Sequence, residues 1–188
     1  MTAADTRQHI VQEADRLFYE QGFEATSLAH IAAAVQISRG NFYYHFRTKD
    51  EILDAVIIRR LDTTRAMLDR WQAEGGDALD RIFCFIDILV MNRAKIMAHG
   101  CPVGTLCGEL AKLDHAAGSD AAQLFTLFRD WLAGQFAALG RRRDADALAL
   151  HLLGRTQGVA TLATAFRDET HIDREIADMR AWVRAQTA

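Results

Sequence analysis

The chain has 188 residues and a mass of 21.0 kDa, with 50% hydrophobic and 25% charged residues, which suits one large or two small folded units and excludes a disordered chain. A single proline, Pro102, argues against an all-β chain, whose turns draw on proline, and in favour of long helices. A net charge of −3 and a pI of about 6.1 exclude a globally basic nucleic-acid coat but leave room for a local basic patch. Cys84, Cys101 and Cys107 form no disulfide framework and suit a reducing compartment. The start of the chain lacks the basic and apolar regions of a leader peptide, and the longest apolar stretch, 82–91, is broken by Asp87. The expectation is a soluble, cytoplasmic protein without a membrane span.

Ile10, Ala14, Leu17 and Phe18 share one helical face, and Gly22 follows as a helix stop onto which Phe23 can fold. Thr26 and Ser27 offer N-cap oxygens for a second, short helix with Leu28, Ile31, Ala32 and Val35 on its buried side. Ser38 caps a third short helix anchored by Phe42 and Phe46, four residues apart. The run from Thr48 to Glu51 reads as a capping box opening a long fourth helix, which Gly75 and Gly76 end. Helical periodicity returns over 78–98, 104–113, 121–139, 145–166 and 172–185, and the clearest break is 100–104, which holds Pro102.

Two short helices separated by Gln36 and Ile37 have the spacing of a helix-turn-helix. Outward positions of the third helix hold Arg39, Gly40, Asn41, Tyr43, Tyr44 and His45. Arg and Asn can read guanine and adenine edges, Tyr hydroxyls suit phosphate oxygens, and Gly40 would let backbone come close to DNA. Arg39, Arg47 and Lys49 make the stretch 26–49 positive, with no acidic residue, although the first 50 residues hold five basic and six acidic side chains. Patterning alone leaves a protein-contact helical unit open.

The stretch Thr26-Ser27-Leu28 to Ile31-Ala32, then Ile37 to Lys49, resembles the DNA-binding domain of the TetR/AcrR family of bacterial repressors. The resemblance covers 10–57, about a quarter of the chain. It implies an all-α protein, with a three-helix helix-turn-helix domain over 1–50 and a helical ligand-binding and dimerisation domain over 51–188. It implies operator-facing roles for Thr26, Ser38, Arg39, Gly40, Asn41, Tyr43, Tyr44, His45 and Lys49. Tyr43 and Lys49 would hold phosphates, and Arg39, Gly40, Asn41 and Tyr44 would face bases. His45 keeps a second role open, packing between helices. The function implied is a homodimeric repressor, not an enzyme, released from a palindromic double-stranded operator by a small-molecule effector.

For the dimer, the sequence offers Gly154 and Gly158 with apolar neighbours, and the stripe Ile172, Ile176, Met179 and Val183, which could also pack within the chain. Phe83, Ile86, Met91, Leu106, Leu110, Phe125, Phe128 and Trp131 could line an apolar effector chamber or be plain core. Cys101 precedes Pro102, a residue favoured at the first helical position, so its thiol would sit at a helix N-terminus, which stabilises a thiolate. The segment 100–110 resembles a branch of the family that senses electrophiles and oxidants, and there the sensing cysteine corresponds to Cys101. That gives an alternative mode of control, with Cys107 close in sequence. His99, Cys101, Cys107 and His115 match no zinc spacing, and nothing calls for a cofactor.

Overall fold

A computed structural model describes residues 2–187, which form ten α-helices and, among the described residues, no strand. In chain order these are α1 (Ala3–Gln21), α2 (Leu28–Val35), α3 (Arg39–His45), α4 (Lys49–Glu74), α5 (Ala78–Met91), α6 (Arg93–His99), α7 (Pro102–Lys112), α8 (Gly118–Ala138), α9 (Ala145–Phe166) and α10 (Glu169–Thr187). No described helix is long and apolar enough to cross a membrane. By packing, the chain divides into a unit of residues 1–62 with 105–122, and a unit of 63–104 with 123–188.

The first unit is built on α1–α3 and the start of α4. Ile10, Ala14, Leu17 and Phe18 of α1 are buried together with Ile31 and Val35 of α2, Phe42 of α3, and Ile52, Leu53 and Val56 of α4. Each large side chain contributes on the order of 1.5–3 kcal/mol through burial. Gly22 ends α1 with φ 93°, a conformation that favours glycine, and Phe23 turns inward to meet Phe18 edge-on at 5.3 Å. At α4 the expected capping box is shifted by one residue. Thr48 Oγ1 accepts from the Glu51 amide at 3.1 Å, but the Glu51 carboxylate accepts from the Arg47 amide at 2.8 Å.

In the second unit α10 packs on α5 and α9, and α6 packs on α9. Ile82, Ile86, Leu89, Leu132, Phe136, Leu152, Ala160, Ile172, Met179 and Val183 form its core. Arg180 of α10 makes contacts of 2.6 and 2.7 Å with the two oxygens of Asp87 on α5, and Arg155 of α9 pairs with Glu175 of α10 at 2.9 Å. The single helix expected over 78–98 is two. Asn92, at φ −110° and ψ 14°, turns its side-chain amide back to donate to the Ile88 carbonyl at 3.1 Å, and this local bond ends α5.

Candidate nucleic-acid interface

The geometry of α2 and α3 follows from their caps. Ser27 Oγ accepts from the His30 amide at 3.1 Å, and the His30 ring accepts in return from the Ser27 amide at 3.5 Å, so histidine stands where Glu or Gln usually closes the box. Gln36, left-handed at φ 58°, ends α2, and Ser38 then caps α3 by accepting from the Asn41 amide at 3.3 Å. Phe42 and Phe46 are fully buried and fix which way α3 faces.

The opposite face is open. Arg39, Gly40 and Asn41 are exposed, and Tyr43 and Tyr44 stand 51% and 78% accessible. The two aromatic rings thus stand in solvent beside an exposed arginine and asparagine. A Cβ placed on Gly40 would meet nothing within 4 Å, so the chain itself does not need glycine there. His45 is half-buried and lies edge-on to its neighbour Tyr44 on the same helix at 5.1 Å. Ser38 is exposed while its hydroxyl serves the cap.

Two expected site residues differ. Thr26 is fully buried and its hydroxyl donates to the Gly22 carbonyl at 2.7 Å, so it braces the corner between α1 and α2 and cannot face an operator. Its neighbour Ser27 is the exposed one. Lys49 is half-buried. Its ammonium donates to the carbonyls of Phe23 and Glu24 at 2.9 and 3.2 Å and lies 4.2 Å from the centre of the Phe23 ring. In this state its charge serves the corner rather than standing free for a phosphate. Ser27, the cap expected from sequence, and His30 are both exposed at the start of α2, and it is the Ser-x-x-His spacing that signals the pair.

The same corner is held from its other side by α7. Glu109 accepts the amides of Phe23 and Glu24, each at 2.8 Å. His115, just past α7, lies edge-on to Phe23 at 5.2 Å, with Nε2 3.5 Å from the Asp50 carboxylate.

The side chains expected to form an effector chamber do not share one environment. Ile86 and Phe128 are in the core of the second unit, with Phe125 and Trp131 partly buried against it. Phe83 lies under two guanidinium groups, Arg180 at 5.2 Å and Arg184 at 4.9 Å, and Met91 is 66% exposed. Leu106 and Leu110 are buried in the first unit. A surface hollow of about 410 Å³ is lined instead by 140–144 at the turn between α8 and α9. Pro102 opens α7, so half-buried Cys101 sits directly before a helix start, and Cys107 is half-buried within that helix. Burial pushes the Cys84 thiol up, and Asp87 and Asp80 push it further.

The α10 stripe is also placed differently from a dimer face. Ile172, Ile176, Met179 and Val183 are all buried inside their own unit. Among the small and apolar side chains left exposed are Leu150, Gly154, Gly158, Leu162 and Phe166 on α9, and Ala177, Ala181 and Ala185 on α10.

Residues 10–56 match the family model described as bacterial regulatory proteins, tetR family. Along 137 residues the chain is 28% identical to an uncharacterized HTH-type transcriptional regulator in the lacX 3′ region of Lactococcus lactis subsp. lactis, covering 72% of this chain and 70% of that one. It is 35% identical over 88 residues to the HTH-type transcriptional regulator TtgR of Pseudomonas putida, covering 47% of this chain and 41% of that protein's length. The crystal structure of a TetR transcriptional regulator from Legionella pneumophila superposes with a TM-score of 0.80 at 25% identity, over 91% of this chain and 93% of that one.

Proposed function

We infer that this chain, which belongs to the tetR family of bacterial regulatory proteins, is a homodimeric repressor that a small molecule releases from a palindromic operator. Membership makes it a DNA-binding transcriptional regulator. The observation that carries the reading is the outward face of α3, where Arg39, Asn41, Tyr43 and Tyr44 stand exposed while Phe42 and Phe46 pin the helix from within. A helix fixed this way can enter a major groove with its rotation about its own axis already set, and that rotation selects which side chains meet base edges.

Arg39 and Asn41 are the base readers in this proposal, and Gly40 admits the DNA backbone. Tyr43, Ser27 and His30 contact phosphates. Residues 1–50 act as the DNA-binding domain and 51–188 as the effector and dimer domain, in a cytoplasmic regulator without catalytic function. The dimer uses the exposed small and apolar side chains of α9 and α10, because Gly154, Gly158, Ala177 and Ala181 let two helix pairs approach closely. An effector releases DNA to the extent that it prefers the released state. The second reading, control by electrophile or oxidant attack on Cys101, is favoured by the placement of that thiol directly before α7.

Purified protein should recover a small set of genomic fragments, and footprints on them should show two inverted half-sites about one helical turn apart, 10–10.5 bp centre to centre. Uniform, sequence-independent protection would overturn the operator reading. Alkylating Cys101 should release DNA only if the thiol reading holds, and a Cys101→Ser variant that responds to electrophiles like the parent ends it.

A further inference from the structure

We infer that Glu109 is the positioning residue through which α7 sets the reading helices for DNA, an inference that rests on the DNA-binding function above. The corner 22–26 between α1 and α2 is where backbone leaves one helix and has not yet entered the next. Its polar groups must therefore find partners elsewhere. They find them from two directions. Glu109 of α7 takes the amides of Phe23 and Glu24, each at 2.8 Å, and Lys49 of α4 gives its ammonium protons to the carbonyls of the same two residues at 2.9 and 3.2 Å. Both sides use a full charge, so these are among the stronger hydrogen bonds available to a backbone.

Gly22 shows that the approach is built in. A Cβ at Gly22 would lie 3.1 and 3.3 Å from the two Glu109 carboxylate oxygens, so a side chain there would press on the carboxylate and shift it by a few tenths of an ångström. His115 adds an edge contact to the Phe23 ring at 5.2 Å from the same segment of chain. Four residues after Glu24, α2 begins, and Ile31 and Val35 of α2 and Phe42 of α3 are all buried within the first unit. The corner thus fixes where α2 starts, and base reading depends on placement to within about 0.5 Å. Glu109 itself touches none of the proposed DNA-facing side chains. It lies on α7, within the same unit as the two peptide groups it holds.

The test is Glu109→Gln, because a glutamine carbonyl can serve one amide while its NH2 group opposes the other. The probes are the genomic fragment selected by the parent and a random-sequence duplex of equal length. The variant should keep its far-UV circular dichroism and its sedimentation behaviour. It should bind the selected fragment roughly tenfold more weakly, as expected for loss of a charged hydrogen bond. Its salt slope should not change, since no phosphate contact is lost. Hydrogen exchange at the Phe23 and Glu24 amides should accelerate. Unchanged affinity for the selected fragment overturns the inference, as does a salt slope smaller by about one unit, which would make Glu109 part of the phosphate contact network. If Glu109→Gln does not fold, Glu109→Asp, one methylene short, is read in the same way: weakened selected-fragment binding supports the role and parent-level binding overturns it. A parent that selects no DNA brings down the regulator reading and this inference with it, whereas a parent and variant that bind equally bring down the inference alone.

Discussion

Asp15 on α1 and Arg60 on α4 meet at 2.7 Å, and the other oxygen of the same carboxylate holds Arg59 at 2.7 Å. Arg60 is buried while Asp15 keeps some solvent access, so the pair is more than a surface contact. Asp15→Ala should destabilise the first unit by about 2–3 kcal/mol, because the buried guanidinium loses the carboxylate it meets at 2.7 Å. Urea unfolding measures this, and a loss below about 0.5 kcal/mol would place the variant among ordinary surface changes and refute the pair's importance.

Gly40 separates stability from function. Nothing lies within 4 Å of a Cβ there, and the residue is inside α3. Gly40→Ala should therefore raise the unfolding free energy by about 0.5–1 kcal/mol, since alanine loses less backbone entropy in a helix. Operator affinity should nevertheless drop if, as proposed, Gly40 admits the DNA backbone, because the added methyl would stand in its way. Improved stability with undiminished operator binding would remove Gly40 from the interface. Asn41→Ala, tested beside it, should cost roughly 1–3 kcal/mol on the selected fragment and relax preference at one position per half-site.

For the dimer, substitutions on the two sides of α9 and α10 should behave differently. Leu162→Glu or Ala181→Glu puts a charge on the exposed face and should yield a folded monomer with weakened operator binding, since two half-sites are no longer held together. Met179→Asp buries an unpaired carboxylate in the core and should instead unfold the second unit. Sedimentation and circular dichroism together distinguish the two. A dimeric Leu162→Glu with parent affinity would move the interface elsewhere.

Cys84 should react most slowly of the three thiols at neutral pH, because burial, Asp87 and Asp80 all raise its pKa and keep it protonated. A raised pKa means that the folded chain holds this proton more tightly than the unfolded one. Its contribution to stability is therefore full below the ordinary thiol range and is lost as pH rises through the higher folded value. Timed iodoacetamide labelling read by mass spectrometry checks the order, and Cys84→Ser should flatten the alkaline fall in stability. Cys84 modified ahead of Cys101 would contradict this.

What sequence could show depended on whether the signal was local. Ser38, Gly22 and Pro102 act within one turn of where they stand, and Phe42 and Phe46 declare an inward face by spacing alone. Adjacent hydroxyls carry no such mark: Thr26 and Ser27 are equally good caps on paper, and only the path of the corner decides that Thr26 points in. The apolar stripe of α10 reads the same whether it meets its own unit or a second copy. Asn92 looks like one polar residue on a helix until its side chain is seen to take the Ile88 carbonyl. Glu109 was illegible because its partners lie more than 80 residues away. The exposed row of α3 was legible, since Phe42 and Phe46 fix which side of the helix is left unburied.

The absence of a side chain at Gly22 ties that position to one 87 residues later. The backbone at 22, with φ 93°, strains any side chain whatever stands at 109, and a carboxylate at 109 adds a contact a few tenths of an ångström too close. Over evolutionary time glycine at 22 should therefore outlast the carboxylate, so that near relatives that have lost glutamate at 109 still carry glycine at 22.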